Sequence, residues 1–218
     1  MIDKTKLKSA FTLAEVLITL VIIGVVAALT IPTAINKYKE QEYKSQFKKA
    51  YSTITQAINK TNTLDFYGYT RCYYGPQGGG PVQNDCRSFY TALAKNLQTS
   101  KICANNSLSG GCVPVYKAYH PTCVGYSENY INNINPAYVL SDGQIIIPYA
   151  GDTPLLLIDI NGLKGPNAFG KDLFGFIIRK DVNNNFYMTT GGGCVQFGIV
   201  AGGKDTQEMI NYALLGKK

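Results

Sequence analysis

The chain has no tryptophan, a single histidine and no two cysteines spaced as CxxC. Each absence closes a class of function. Without CxxC there is no zinc-ribbon or thioredoxin-type site to read. The lone His120 stands in YHPTC beside Cys123. A cysteine–histidine nucleophile pair would need that thiol free and a third group to orient the ring. No third group is recognisable, and the even cysteine count assigns the thiol to a disulfide. The GGGC run at 191–194 has the glycines of a phosphate loop but lacks the Lys-Ser/Thr that completes a Walker motif. No carboxylates are paired in a recognisable catalytic arrangement. The expectation is a protein that is not an enzyme, with a tethered enzyme using Cys123 and His120 as the weakest alternative.

Charge is scarce at 16% of residues, and the net +7 is unevenly placed. Lys4, Lys6 and Lys8 against Asp3 make the first residues basic. A second basic stretch sets Lys37, Lys39, Lys44, Lys48, Lys49 and Lys60 against Glu40 and Glu42. Beside a membrane segment, such stretches are first a topology and lipid-headgroup signal; contact with nucleic acid is the lesser reading. The 16 tyrosines and 22 glycines suit a wet, loop-rich extracellular surface. After the N-terminal segment roughly 155 residues remain, enough for one domain with its own core.

What is present is a long apolar run from Phe11 to Ile31, interrupted only by Thr12, Glu15, Thr19, Gly24 and Thr30. As a helix it spans about 30 Å, the hydrocarbon thickness of a bilayer. A secretory signal peptide would have a shorter apolar core followed by its cleavage site. Here the short polar stretch KSA precedes FTLAEV, which places a cut on the N-terminal side and keeps the helix. Glu15 is the anomaly, because a carboxylate at the bilayer centre costs about 2.5–3.5 kcal/mol. Pro32 ends the run and is expected to kink the helix. Beyond it Ile35, Tyr38, Tyr43, Phe47, Tyr51, Ile54 and Ile58 recur at helical spacing with charges between them. Residues 11–61 therefore read as one long helix, membrane-embedded in its first half and amphipathic in its second. The plainer alternative is a single-pass anchor followed by an unrelated helix.

The stretch KSAFTLAEVLITLVIIGVVAALTIP resembles the prepilin-type cleavage and methylation signal of type IV pilins and type II secretion pseudopilins. The shared features are a basic leader, a small residue, Phe-Thr-Leu-x-Glu opening an apolar helix, and a proline some twenty residues on. The resemblance implies that a membrane aspartyl prepilin peptidase cuts between Ala10 and Phe11 and N-methylates Phe11. It implies that Glu15 guides assembly of a helical fibre with other pilin or pseudopilin subunits. An assembly ATPase and a platform membrane protein are the further partners it implies. Ala10 departs from the family, which usually has Gly there, but alanine is still small. The implied location is a single pass through the cytoplasmic membrane, with the C-terminal domain outside the cytoplasm and at the cell surface once a fibre forms.

After residue 62 turns dominate. GPQGGGPV (75–82) lies inside an expected Cys72–Cys86 loop, SFYTALAKNLQ (88–98) reads as a short helix, and residues 99–135 show no period and read as a disulfide-held surface region. All six cysteines, Cys72, Cys86, Cys103, Cys112, Cys123 and Cys194, follow the apolar run, as exported disulfides would. Cys72–Cys86 and Cys103–Cys112 suit local loops, which leaves Cys123–Cys194, although other connectivities remain open. Strands are expected at 137–150, around the turn Ser141-Asp142-Gly143, and at 154–160, 173–180 and 186–190, with VQFGIV (195–200) as one more. KDTQEMINYALLGKK reads as a terminal helix. The order of elements gives an α+β class: a long N-terminal helix packed on an antiparallel sheet, the layout of pilins. The expected domains are a leader at 1–10, a membrane and assembly helix at 11–31, its amphipathic continuation at 32–62, and a globular domain at 63–218.

In DINGLKGPNAFGKDLFGF (159–176), Asp159, Asn161, Asn167 and Asp172 set oxygen ligands around glycine turns, as a calcium loop would. The spacing is not that of an EF-hand. The stretch resembles a DxNGxxGPNxxGxDxF pattern recurring in pseudopilin-like proteins, some of which bind calcium. The competing reading is a turn joining two strands. No other cofactor is expected. Two functions stand: a subunit that polymerises through its N-terminal helix, or a monomeric membrane-anchored module displaying its domain for adhesion or DNA capture.

Overall fold

The computed structural model describes residues 11–64, 87–117, 130–149, 155–183, 185–190 and 199–217. Contacts divide the chain into two compact units, Met1–Glu42 and Tyr43–Lys218. One helix, α1 (Leu13–Leu64), contributes to both. Its assignment runs through Pro32 without a break, although proline removes the hydrogen bond that the Ala28 carbonyl would accept.

From Leu13 to Ile31 α1 is predominantly apolar and exposed almost throughout, while Lys37, Lys39, Glu40 and Glu42 make the rest of the first unit's helix polar. It is the helix among the described residues that is long and apolar enough to cross a membrane. Ile35 and Tyr38, read from the sequence as part of one continuous buried stripe, are 47% and 69% exposed. Burial begins only at Tyr43 and is complete at Phe47, Ile54 and Ile58. The helical period is real over the whole stretch, but an amphipathic face does not say what will cover it.

The second unit is built on a six-stranded antiparallel meander: β1 (Thr99–Cys103), β2 (Ala137–Leu140), β3 (Ile145–Tyr149), β4 (Leu155–Asp159), β5 (Leu173–Lys180) and β6 (Phe186–Thr189), in that spatial order. The short connection at Ser141–Gly143 joins β2 to β3 as the Asp-Gly pair requires, with Gly143 at φ +90°. Strand alternation divides the apolar residues between two faces. Ile146, Leu156, Ile158, Phe174, Phe176, Ile178, Phe186 and Met188 meet the buried side of α1. Phe47 stands edge-on to Phe174 with ring centroids 5.1 Å apart. The same face is covered by α2 (Arg87–Asn96) through Phe89, Tyr90 and Leu93, and by α3 (Thr206–Ala213) through Met209 and Ala213. Helix α3 starts where its sequence says it should, since Asp205 and Glu208 form a reciprocal capping box.

The opposite face, Ile145, Ile147, Leu155, Leu157 and Leu173, packs on Val113, Tyr116, Ile131 and Phe169. Both faces are therefore covered, and every residue of β4 is buried. This corrects the reading of 99–135 as surface. The segment supplies the edge strand β1, a π-helical turn (Tyr130–Ile134) and buried Val113, Tyr116 and Ile131. Its apolar residues enter the core singly, from turns, so no period announces them. The expected disulfide Cys103–Cys112 is formed and closes that turn-rich cover. Cys72, Cys86, Cys123 and Cys194 lie outside the described residues, as do His120 and the GPQGGGPV and GGGC runs. So does most of VQFGIV, whose last two residues are not in a strand.

The covering of the sheet by α1 sets the stability of this unit. Replacing the fully buried Ile54 by alanine is expected to destabilise it by about 2–5 kcal/mol in chemical denaturation of the full chain in detergent. The same change at exposed Ile35 is expected to leave the midpoint nearly unchanged.

Candidate assembly site

At the start of α1, Thr12 and Glu15 hold each other. The Thr12 backbone N–H donates to Glu15 Oε2 at 2.8 Å and the Thr12 hydroxyl donates to the same oxygen at 2.7 Å. The Glu15 N–H donates back to Thr12 Oγ1 at 3.3 Å. Thr12 is thus the N-cap and Glu15 the third residue of the helix, a capping box. The Thr12 carbonyl also accepts the first helical bond, from Val16. A negative group here also complements the positive end of the helix dipole. Thr-x-x-Glu before an apolar run is the sequence signature of this box and marks Thr12 as the partner of Glu15. Phe11, one residue ahead, is 87% exposed, and Ala10 lies outside the described residues. Around the carboxylate Leu13, Val16, Leu17 and Ile18 are all exposed.

Residues 5–31 match the prokaryotic N-terminal methylation motif. This motif is typical of type IV pilins and pseudopilins, and it contains Ala10, Phe11, Thr12 and Glu15. No curated protein and no solved structure gives a match. The motif and the α+β fold, with a long N-terminal helix on an antiparallel sheet, are similar to those of type IV pilin-like subunits. Such proteins are in general structural rather than enzymatic. The exposed apolar helix and the motif are consistent with a single-pass membrane-anchored prepilin.

The second constellation singled out in the sequence lies between β4 and β5. Asp159 and Asp172 are fully buried, and the loop brings them into electrostatic contact. Asp159 Oδ1 accepts the N–H groups of Asn161 at 3.1 Å and Gly162 at 2.7 Å, and its Oδ2 accepts the Tyr116 hydroxyl at 2.8 Å. Asp172 accepts the N–H groups of Asn167 and Ala168, each at 2.7 Å. The Asn161 side chain donates to the Gly165 carbonyl at 3.3 Å. Gly162, at φ +69°, lies so close under the Gly143 carbonyl that a Cβ there would collide with it, which ties this loop to the β2–β3 turn.

Of the four residues read as calcium ligands, the two aspartates thus converge, but both oxygens of each already accept N–H or O–H donors. Those hydrogen bonds hold the loop as a turn through its carboxylates. The Asn161 and Asn167 amide oxygens are buried without a hydrogen-bond partner among the described residues. Neither aspartate forms an ion pair with a described residue.

Burial, and then the charge of Asp172, push Asp159 up to about 8 against the lowering effect of its three donors. Burial likewise raises Asp172, and the Tyr116 hydroxyl is driven well above its usual range by burial and the two aspartates. Because the folded-state value of Asp159 exceeds its ordinary value of 3.8, the folded chain binds the proton more tightly than the unfolded chain. Stability from this group is complete at low pH and is lost as pH rises through the window from about 4 to about 8. In buffer containing a chelator, the melting temperature is expected to fall across that window, and Asp159→Asn is expected to flatten the slope. A profile unchanged by the substitution would show that the buried pair does not carry the effect. Millimolar calcium is expected to leave the melting temperature where the chelator leaves it. A rise reversed by the chelator would restore the calcium reading of Asp159, Asn161, Asn167 and Asp172.

Proposed function

We propose that the chain is cut between Ala10 and Phe11 by a prepilin peptidase, N-methylated at Phe11, and polymerised through its N-terminal helix. The product is a membrane-rooted fibre, a type IV pilus or a type II secretion pseudopilus. The observation that carries this reading is Glu15, a carboxylate at the head of an exposed apolar helix, held by Thr12 alone among the described residues. A plain anchor could cap its helix with Thr12 and no charge, and a charge in hydrocarbon is costly. Cleavage would create the complementary group, a positive α-amine on Phe11. Pairing the carboxylate of one subunit with the amine of its neighbour removes two poorly solvated charges at once and fixes their register, while a subunit out of register leaves both unpaired. Thr12 supports this reading as the ligand that satisfies Glu15 before a neighbour arrives.

In this scheme the assembly ATPase and platform membrane protein act on the anchored subunit, residues 1–10 are the leader, and residues 63–218 form the displayed domain. The second reading, a monomeric anchored module for adhesion or DNA capture, is favoured by the same displayed domain and the basic stretch Lys37–Lys60.

Mass spectrometry of the N-terminus, after co-expression with and without a prepilin peptidase, tests the first step. The expected product starts at Phe11 and carries one added methyl group. Glu15→Ala tests the second: fibres are expected to fail or misassemble while membrane insertion is unimpaired. An uncut chain, or fibres indifferent to Glu15, would hand the lead to the anchored module.

A further inference from the structure

Among the described residues the antiparallel sheet ends in two edge strands, β1 and β6, and each presents a row of N–H and C=O groups on which another strand can add. Strand β1 manages its edge in familiar ways: it is short, its register shifts between Thr99 and Lys101, it carries a lysine, and the Cys103–Cys112 loop starts from its end. Strand β6 is shorter still, but it has no register shift, no charged residue and no described disulfide loop. Its four residues are regular and paired in register with β5 from Lys180↔Phe186 to Ile177↔Thr189.

Three of its backbone groups are instead taken by helix side chains. Asn59 of α1 accepts the Phe186 N–H on Oδ1 at 2.8 Å and donates from Nδ2 to the Phe186 carbonyl at 2.8 Å. Two residues further along β6, the Met188 carbonyl accepts the Tyr51 hydroxyl at 2.8 Å. Giving and taking a hydrogen bond with one residue is the exchange that a narrow antiparallel strand pair makes. The Asn59 amide therefore stands where a strand residue would stand. It is aimed by its own helix, since Nδ2 also donates to the Thr55 carbonyl at 3.0 Å. Tyr51, Thr55 and Asn59 lie four residues apart along one side of α1, so the helix lays its polar row along the edge while the adjoining row, Ile54 and Ile58, fills the core.

We propose that Asn59, supported by Tyr51, is an edge guard: it occupies the β6 edge in place of a seventh strand and confines self-association to the N-terminal helix. The partner it excludes is a second copy of this chain, pairing β6 against β6. The benefit named in the last clause rests on the polymerising reading, while the guarding of the edge does not. A subunit that must stack by its helix at high local concentration would misassemble if its sheets could also join, and a flat regular edge invites that joining.

The test uses the full chain in detergent, with Glu15→Ala in every sample so that helix-driven assembly is absent. Amide hydrogen exchange and sedimentation are then compared with and without Asn59→Ala. In the parent, the Phe186 amide is expected to exchange slowly despite its edge position, and the protein to sediment as a monomer. With Asn59→Ala, Phe186 exchange in dilute samples is expected to quicken roughly tenfold, the loss of one hydrogen bond, and dimers are expected as concentration rises. Adding Tyr187→Lys, at the exposed centre of β6, is expected to restore the monomer, because like charges would face each other across a β6–β6 pair.

The proposal fails if Phe186 in the parent exchanges as fast as an exposed loop amide, if Asn59→Ala stays monomeric, or if its dimers survive Tyr187→Lys. Should Asn59→Ala not fold, Phe186 exchange in the parent decides. A failure of the polymerising reading would register separately, as an uncut N-terminus, and leave these readouts intact.

Discussion

A six-stranded sheet with a row of Leu, Ile and Phe on one face has to be covered, and in this chain the stretch of α1 from Phe47 to Ile58 packs on it. The order of the domain depends on that burial. It positions Asn59 and Tyr51 against the β6 edge, and it leaves the remainder of the face to α2 and α3. The covering stretch of α1 belongs to the same helix as the apolar N-terminal segment. Whatever anchors or stacks residues 13–42 is covalently continuous with the core of residues 43–218.

The two ends of α1 solve opposite problems with the same kind of chemistry. At Thr12 and Glu15 a side-chain carboxylate takes the N–H and O–H of the helix cap, so that a charge can sit at the head of an apolar rod. At Asn59 a side-chain amide takes the N–H and C=O of a strand, so that an edge can end without another strand. Asp159 and Asp172 do the same for the β4–β5 loop, holding four backbone N–H groups where no regular element could satisfy them. Buried backbone groups need partners, and in irregular or terminal positions short polar side chains provide them.

How much of this was legible depended on whether a pattern is local. The helix, the β2–β3 turn and the strands β2 to β6 follow from spacing and turn residues, and the structure has them with bounds close to those expected. Strand β1, the π-helical turn and the burial of Val113, Tyr116 and Ile131 were not legible, because isolated apolar residues in a turn-rich stretch carry no period. Ile35 and Tyr38 mislead in the opposite direction: they keep the helical period but are exposed, since a period reports a face and not its cover. Thr12 could have been found from Thr-x-x-Glu. Asn59 could not, because its partner lies 127 residues away in the chain.

By itself the sequence determined the N-terminal methylation motif: Lys6 and Lys8, Ala10 before Phe11, Glu15 and the apolar run are contiguous, and contiguous residues can be read without a fold. It also determined the α+β order, through hydrophobic periods of two kinds. The tertiary structure alone decided which oxygens each aspartate of the β4–β5 loop gives to which donor, and that these carboxylates clamp a turn. It alone decided that α1 closes one edge of the sheet. The reason is the same in both cases: hydrogen-bond partners are chosen by distance in space, and chain closure brings together residues whose separation in sequence carries no signal.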